Sequence, residues 1–207
     1  NYGVELWSTG AFGTTNPSNG NSGLALGGAV SIKQYINNSW SNVNNTNTTN
    51  LFDATTNNAF SVFVTGNYNN GNGNIYSGAA ATTLSATGTL IMGDHTKTLS
   101  SNANANQYFL VANPYASPID PSKISLTNVN NNFYIWDPTL NGSNGTGQYV
   151  SYSKVARTYT LVGGGTGGVF SNSTPIQSGQ AFFVQATAAG ATSMVFHEAD
   201  KLQTNAQ

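Results

Sequence analysis

Two histidines, seven carboxylates and six cations are the only strongly ionisable groups in this chain of 207 residues, which contains no cysteine. The carboxylates are Glu5, Asp53, Asp94, Asp120, Asp137, Glu198 and Asp200. A glycosidase needs two of them roughly 5–9 Å apart in a cleft. Glu5 and Glu198 lie near opposite ends and meet only if the first and last strands pair. The histidines stand in the dipeptides Asp94-His95 and His197-Glu198. Adjacent side chains on a strand point to opposite faces, and neither pair has metal-ligand spacing, so both histidines read as solvated or turn residues. No G-x-S-x-G elbow occurs, and Gly20-Asn21-Ser22-Gly23 is what a Ser/Gly-rich composition produces by chance. Gly163 to Gly168 spells G-x-G-x-x-G, but the Val169-Phe170-Ser171 that follows starts no helix to hold a pyrophosphate, so it reads as a hairpin loop. Without cysteine there are no disulfides and no thiolate nucleophile or zinc site. The expectation is a non-enzymatic protein without a cofactor. A hydrolase is the remaining enzymatic reading, and it would need a carboxylate pair or a histidine-centred site.

Binding chemistry is better represented. Asp137, Thr139 and Asn141 place oxygens at alternate positions before Gly142, a pattern suited to calcium, which takes six to eight oxygen ligands. No acid closes that loop; Gln148 stands at its far end. Sugars stack on exposed aromatic rings and bond to amides. Trp40, in a polar stretch between Asn38 and Asn42, is the first candidate for glycan contact. Tyr68, Tyr76 and Tyr115, in loop-like surroundings, are the others. A tryptophan in a loop can equally plug the end of a sandwich.

The rest of the composition narrows the partners. Only 6% of residues are charged, against about a quarter in an ordinary globular protein. With a net charge of -1 and no basic run, nucleic acid is not expected as a partner. No apolar run approaches the roughly 20 residues of a spanning helix. A surface of amides and hydroxyls tolerates changes of salt and pH and offers trypsin-like proteases few sites, which suits an extracellular, cell-surface protein. It also gives little charge repulsion between copies, so self-association, or docking of neighbouring modules, is expected. The chain opens at Asn1 without an initiator Met and reads as a mature or excised piece of a longer precursor.

The elements that must position these residues are strands. Phe60–Gly66, Gln107–Ala112, Phe133–Trp136, Gln180–Thr187 and Ala191–Glu198 are the clearest, with Phe182 and Val184 alternating against Phe183 and with Met194 and Phe196 on one face. Gln107–Ala112 is apolar on both faces and reads as a central strand. Weaker strands are Val4–Trp7, Leu84–Met92, Thr96–Ser100, Tyr149–Ser153 and Thr158–Val162. Ala29–Ile36 fits a strand or one short helix. Asn37–Asn50 reads as a low-complexity polar loop, and Asn67–Asn74 and Asn141–Gly147 carry Asn-Gly turn signals. About ten strands joined by Asn/Gly-rich loops predict an all-β, antiparallel β-sandwich or jelly-roll-like fold, taken as a single module over residues 1–207.

One ordered set of blocks resembles a known family. Leu110 to Asp120 (LVANPYASPID) is similar to the GNPYPSPIDW segment of large cell-surface proteins of Bacteroidota. Tyr134-Ile135-Trp136-Asp137-Pro138 resembles their YVWDP strand, and Tyr149 to Ser153 their YVSYN strand. Ile176 to Ala186 resembles I-x-x-GQAFFV-x-A, and Phe196 to Lys201 resembles F-x-E-x-x-K. Val64-Thr65-Gly66 and Thr83 to Gly93 match upstream pieces. The match covers about residues 60–207, and residues 1–59 carry no recognised motif. Val111-Ala112 and Pro121 depart from the family's glycine and tryptophan. The resemblance implies a module of large proteins secreted by the type IX system, and it supplies no catalytic residues. The residues that match its blocks here, Asn113, Pro114, Pro118, Asp120, Trp136 and Asp137, read as architecture. The prolines force extended backbone before them and turn the chain off a strand. The Asn113 side chain would satisfy backbone groups freed there, while Tyr134 and Trp136 would pack beside Phe182 or Phe183. Two functions follow as expectations: a structural or adhesive surface module, in the extreme a subunit of a homopolymeric filament, or a carbohydrate-binding module.

Overall fold

The computed structural model describes residues 32–42, 59–62, 90–137, 140, 147–162, 170 and 174–202. By backbone packing the chain divides into two compact units, Asn1–Thr89 and Leu90–Gln207. The sequence division at 59/60 and the unit boundary at 89/90 therefore fall at different places. Apart from one short helical turn at Glu198–Asp200, the regular secondary structure of the described residues is all strand, and all strand pairs are antiparallel.

In the first unit, β1 (Ile32–Ile36) pairs on one side with β2 (Ser39–Asn42) and on the other with β3 (Phe60–Val62). The open choice at Ala29–Ile36 thus resolves to strand for its described part. The polar stretch after it is not a loop at its start. Asn37 and Asn38 both hold positive φ, 51° and 60°, as the two central residues of a tight hairpin turn must, and asparagine tolerates that region. Ser39–Asn42 consequently runs back along β1, with Trp40 opposite Tyr35.

In the second unit, eight strands form two sheets. They are β4 (His95–Ala103), β5 (Tyr108–Ala112), β6 (Ser125–Thr127), β7 (Asn132–Asp137), β8 (Gln148–Ser153), β9 (Thr158–Leu161), β10 (Ala181–Gln185) and β11 (Gly190–Phe196). The order is β5-β10-β7-β8-β9 in a five-stranded sheet and β4-β11-β6 in a three-stranded one. Val111, Phe133, Ile135, Val150, Tyr152, Phe182 and Val184 from the first sheet share one buried cluster with Met194 and Phe196 from the second. Two sheets closing over one core make this an all-β sandwich. Alternation sets the faces: in β7, Phe133, Ile135 and Asp137 are buried, while Tyr134 and Trp136 point the other way.

Two expectations change here. Gln107–Ala112 does form a strand, β5, but at the edge of its sheet. It is apolar on both sides because the outer face of this sheet is itself aromatic. Trp136 is not in the core; it is 44% exposed, and the ring beside Phe182 is Phe133, at 5.3 Å. Tyr134 does stand opposite Phe183, on the outer face. Met194–Phe196 lies in β11 at the centre of its own sheet. The strand signal at Val4–Trp7 and most of that at Leu84–Met92 lie outside the described residues, and the described end of the latter, Leu90–Met92, is not strand.

Candidate functional site

Three places in the second unit gather the polar and aromatic chemistry. The first is the turn after β5. The Asn113 side chain donates to the carbonyls of Ser117 (2.9 Å), Gln177 (3.0 Å) and Ile176 (3.3 Å), and its Oδ1 accepts from the Tyr115 amide at 3.0 Å. This is the satisfaction of freed backbone groups expected from the Asn-Pro step. Ile119 forms a two-way bridge with Ile176, at 3.0 and 3.1 Å. Asp120 Oδ1 accepts from both the amide (2.9 Å) and the hydroxyl (2.7 Å) of Ser122, closing the next turn. Pro114 and Pro118 stand at either end of the Tyr115–Ser117 stretch.

Tyr115 lies in this turn, and the expectation of glycan contact there is corrected. It is 1% exposed. Its hydroxyl stands 2.7 Å from both the Gly93 and Phe196 carbonyls, so a single proton is shared between two acceptors. The Lys201 ammonium sits 4.2 Å from the ring centroid. Burial, with Glu198, Asp94 and Asp200 nearby, pushes the phenol up to about 12. A ring so enclosed cannot stack on a sugar.

The second place is the outer face of the five-stranded sheet. Register puts Tyr108 (opposite Gln185), Phe183 (opposite both Leu110 and Tyr134) and Tyr149 (opposite Trp136) on that one face. Tyr108 and Tyr134 are 6.0 Å apart, Trp136 and Tyr149 4.9 Å, and Tyr149 and Phe183 5.8 Å. The last two pairs meet edge to face, at 71° and 70°, the arrangement that ring quadrupoles favour. The other positions of this face on β5–β10 are Leu, Ala, Ser, Thr, Asn and Gln, so it carries no charge. Gly147, at φ +103°, lies against the indole: a Cβ there would stand 2.6 Å from Trp136 Cζ2.

Trp40, in the first unit, is 41% exposed and meets Tyr35 edge to face at 5.2 Å. It stands on β2 rather than in a loop, as the positive-φ turn dictates. Tyr68 and Tyr76 lie outside the described residues. So do Thr139 and Asn141 of the calcium pattern. Its Asp137 is buried at the end of β7, directly across from Gln148, and the Gln148 side-chain oxygen is buried without a hydrogen-bond partner. Among the described residues no three His, Asp or Glu side chains cluster as metal ligands.

The third place is the outer face of the three-stranded sheet, and sequence reasoning missed it. β4 and β11 pair with His95 opposite Phe196, so the next residues along, Asp94 and His197, meet on the outer side. β6 pairs on the other side of β11, with Ser125 opposite Val195, one diagonal step from His197. His197 Nδ1 is 2.9 Å from Asp94 Oδ2, and His197 Nε2 is 2.9 Å from Ser125 Oγ. Asp94 Oδ1 also accepts from the Glu198 amide at 3.0 Å, and Asp200 Oδ2 accepts from the His197 amide at 2.8 Å. Glu198 takes the Gly93 amide (2.6 Å) and pairs with Lys201 (2.5 Å). The hydrogen bond from His197 holds Asp94 below the usual carboxylate range, and the same bond raises His197 above its ordinary value. The signal was present in the dipeptides Asp94-His95 and His197-Glu198, but only the pairing of β4 with β11 joins them.

Searches of family models, curated proteins and solved structures returned no match.

Proposed function

We propose that this chain is a structural or adhesive module of an extracellular surface that associates through its uncharged aromatic sheet face. The observation that supports this reading is that face itself: Trp136, 44% exposed, beside Tyr149 and Tyr134 among strand positions that carry no charge. Docking such a surface desolvates no ion, and ion desolvation is the large cost in burying polar interfaces. The low overall charge removes long-range repulsion between copies. The motif blocks from Leu110 to Lys201 agree with a module of Bacteroidota surface proteins carried by type IX secretion, and a homopolymeric filament is the limiting form of such association.

Light scattering on the eluting full chain, from micromolar to near-millimolar concentration, tests it. Mass should climb with concentration, and Trp136→Asp should hold the chain monomeric while it stays folded by circular dichroism. A monomer at every concentration removes the reading. Electron microscopy of native material then separates filaments from single modules.

The exposed indoles favour a second reading, carbohydrate binding. It predicts glycan-array signals lost in Trp136→Ala or Trp40→Ala. The rings around Trp136 meet at steep angles, so one sugar would stack on the indole alone. Calcium in the loop after Asp137 belongs to either reading, and chelation would then lower the melting temperature.

A further inference from the structure

We propose that Ser125 is an activated nucleophile, with His197 as its general base and Asp94 as the residue that positions that base. It takes acyl groups from unhindered carboxylic esters presented to the open face of the three-stranded sheet. This goes beyond the association reading and rests on the opposite sheet.

Proton accounting fixes the tautomer of His197. An ionised Asp94 can only accept hydrogen bonds. Its Oδ2 lies 2.9 Å from His197 Nδ1, so in the neutral imidazole the proton sits on Nδ1. Nε2 is then left as an acceptor facing Ser125 Oγ at 2.9 Å. That is the tautomer a base needs in order to withdraw the hydroxyl proton. The alternative tautomer would set two acceptors against each other at Nδ1.

Backbone hydrogen bonds hold the His197 main chain and Asp94 in place. The His197 amide is held by Asp200 at 2.8 Å, and Asp94 is fixed a second time by the Glu198 amide at 3.0 Å. One residue before each partner, the carbonyls of Gly93 and Phe196 share the Tyr115 hydroxyl at 2.7 Å. Three adjacent strands, β4, β11 and β6, thus present Asp94, His197 and Ser125 in a row. The charged neighbours are accounted for as well. Lys201 is neutralised by Glu198 at 2.5 Å, and Lys123 reaches the Ala199 carbonyl at 3.4 Å. Asp94 and Asp200 both favour the cationic imidazole.

In the step itself, Ser125 Oγ bonds to the ester carbonyl carbon and its proton passes to His197 Nε2. The carbonyl–alkoxide bond breaks, and the departing alcohol takes the proton from Nε2. Acyl-Ser125 and free alcohol are the products, and water can later release the acid by the same route in reverse order.

An alkyl fluorophosphonate probe on the full chain, followed by peptide mass mapping, is the test. The many other serines of the chain serve as internal controls. The expected result is one adduct, on Ser125, formed at least tenfold faster than on any other serine and lost in Ser125→Ala and His197→Gln. The labelling rate should rise with pH as the imidazole deprotonates. Asp94→Asn should shift that rise to lower pH while slowing the labelling, because the anion that raises His197 is gone. A purely structural Asp94 would leave the position of the limb unchanged. Release of nitrophenol from p-nitrophenyl acetate should follow the same variants. No adduct on Ser125, labelling spread evenly over serines, or labelling indifferent to His197→Gln would each overturn the proposal.

Discussion

Asn113 illustrates how one side chain can stand in for a piece of ladder. Its amide and carbonyl serve four backbone groups from two segments of chain; removing it takes a partner from each, although the Ile176 and Gln177 carbonyls keep the Ile119 and Gln180 amides. Each buried, unmet partner costs about 1–3 kcal/mol, partly relieved by relaxation. Asn113→Ala is therefore expected to lose about 2–4 kcal/mol in urea unfolding. Asn113→Asp should do no better at neutral pH, since a carboxylate offers no donor to three carbonyls. Tyr115→Phe removes the hydroxyl that ties Gly93 to Phe196 and should cost about 1–2 kcal/mol. The function of Asn113 could be read from the Asn-Pro step because asparagine and proline act on their own neighbours. The burial of Tyr115 could not, because what encloses it comes from Gly93, Phe196 and Lys201, distant in sequence.

At the scale of elements, alternation located most strands but did not choose their faces. Tyr134-Ile135-Trp136 is apolar at every position, so either register was open. The structure turns Ile135 inward because Phe133 and Asp137 share its side. Gly147 then becomes a test of the β7–β8 pair. Gly147→Ala puts a methyl group against the Trp136 indole and asks an L-residue to hold φ +103°. A loss of more than about 1 kcal/mol in stability is expected, with a changed near-ultraviolet signal from the indole. β2 and β6 escaped the sequence reading for a different reason: both are short and polar, and only their partners make them strands. The link between β4 and β11 also has a pH signature. His197 is raised, so its contribution is complete below its ordinary value near 6.5 and is lost as pH climbs through the raised one. Asp94 is lowered, so its contribution is present above about 3.8 and is lost as pH falls through the depressed value. The melting-temperature gap between the wild type and His197→Gln should therefore narrow as pH rises above about 6.5, as a pH series of thermal melts would read.

For the whole molecule, composition carried the broadest statement: a nearly uncharged, turn-rich chain with alternating aromatics builds sheets. The division at Thr89–Leu90 left no mark in the sequence, since the same Asn/Thr/Gly composition runs across it. Nor could spacing reveal that Asp94, Ser125 and His197 converge, because each contributes from a different strand. The edges of the smaller sheet show how an uncharged protein limits uncontrolled growth. On β4, His95 and Lys97 stand opposite Phe196 and Met194, facing inward, and burial lowers both. Inward-facing charge on an edge strand resists pairing with another edge. Lys97→Val is expected to make the chain aggregate by edge addition, visible as thioflavin-positive material absent from the wild type.

The two sheets also share a dependence on order of synthesis. β10 and β11 are consecutive in the chain, yet β10 lies inside the five-stranded sheet and β11 at the centre of the other. A nascent chain that has reached only residue 180 holds six of the eight strands and cannot complete either sheet. Its partners must wait, separated by long closed loops that make such pairing slow. This unit is therefore expected to become protease-resistant in one late step, once residue 196 has been made and is free to pair.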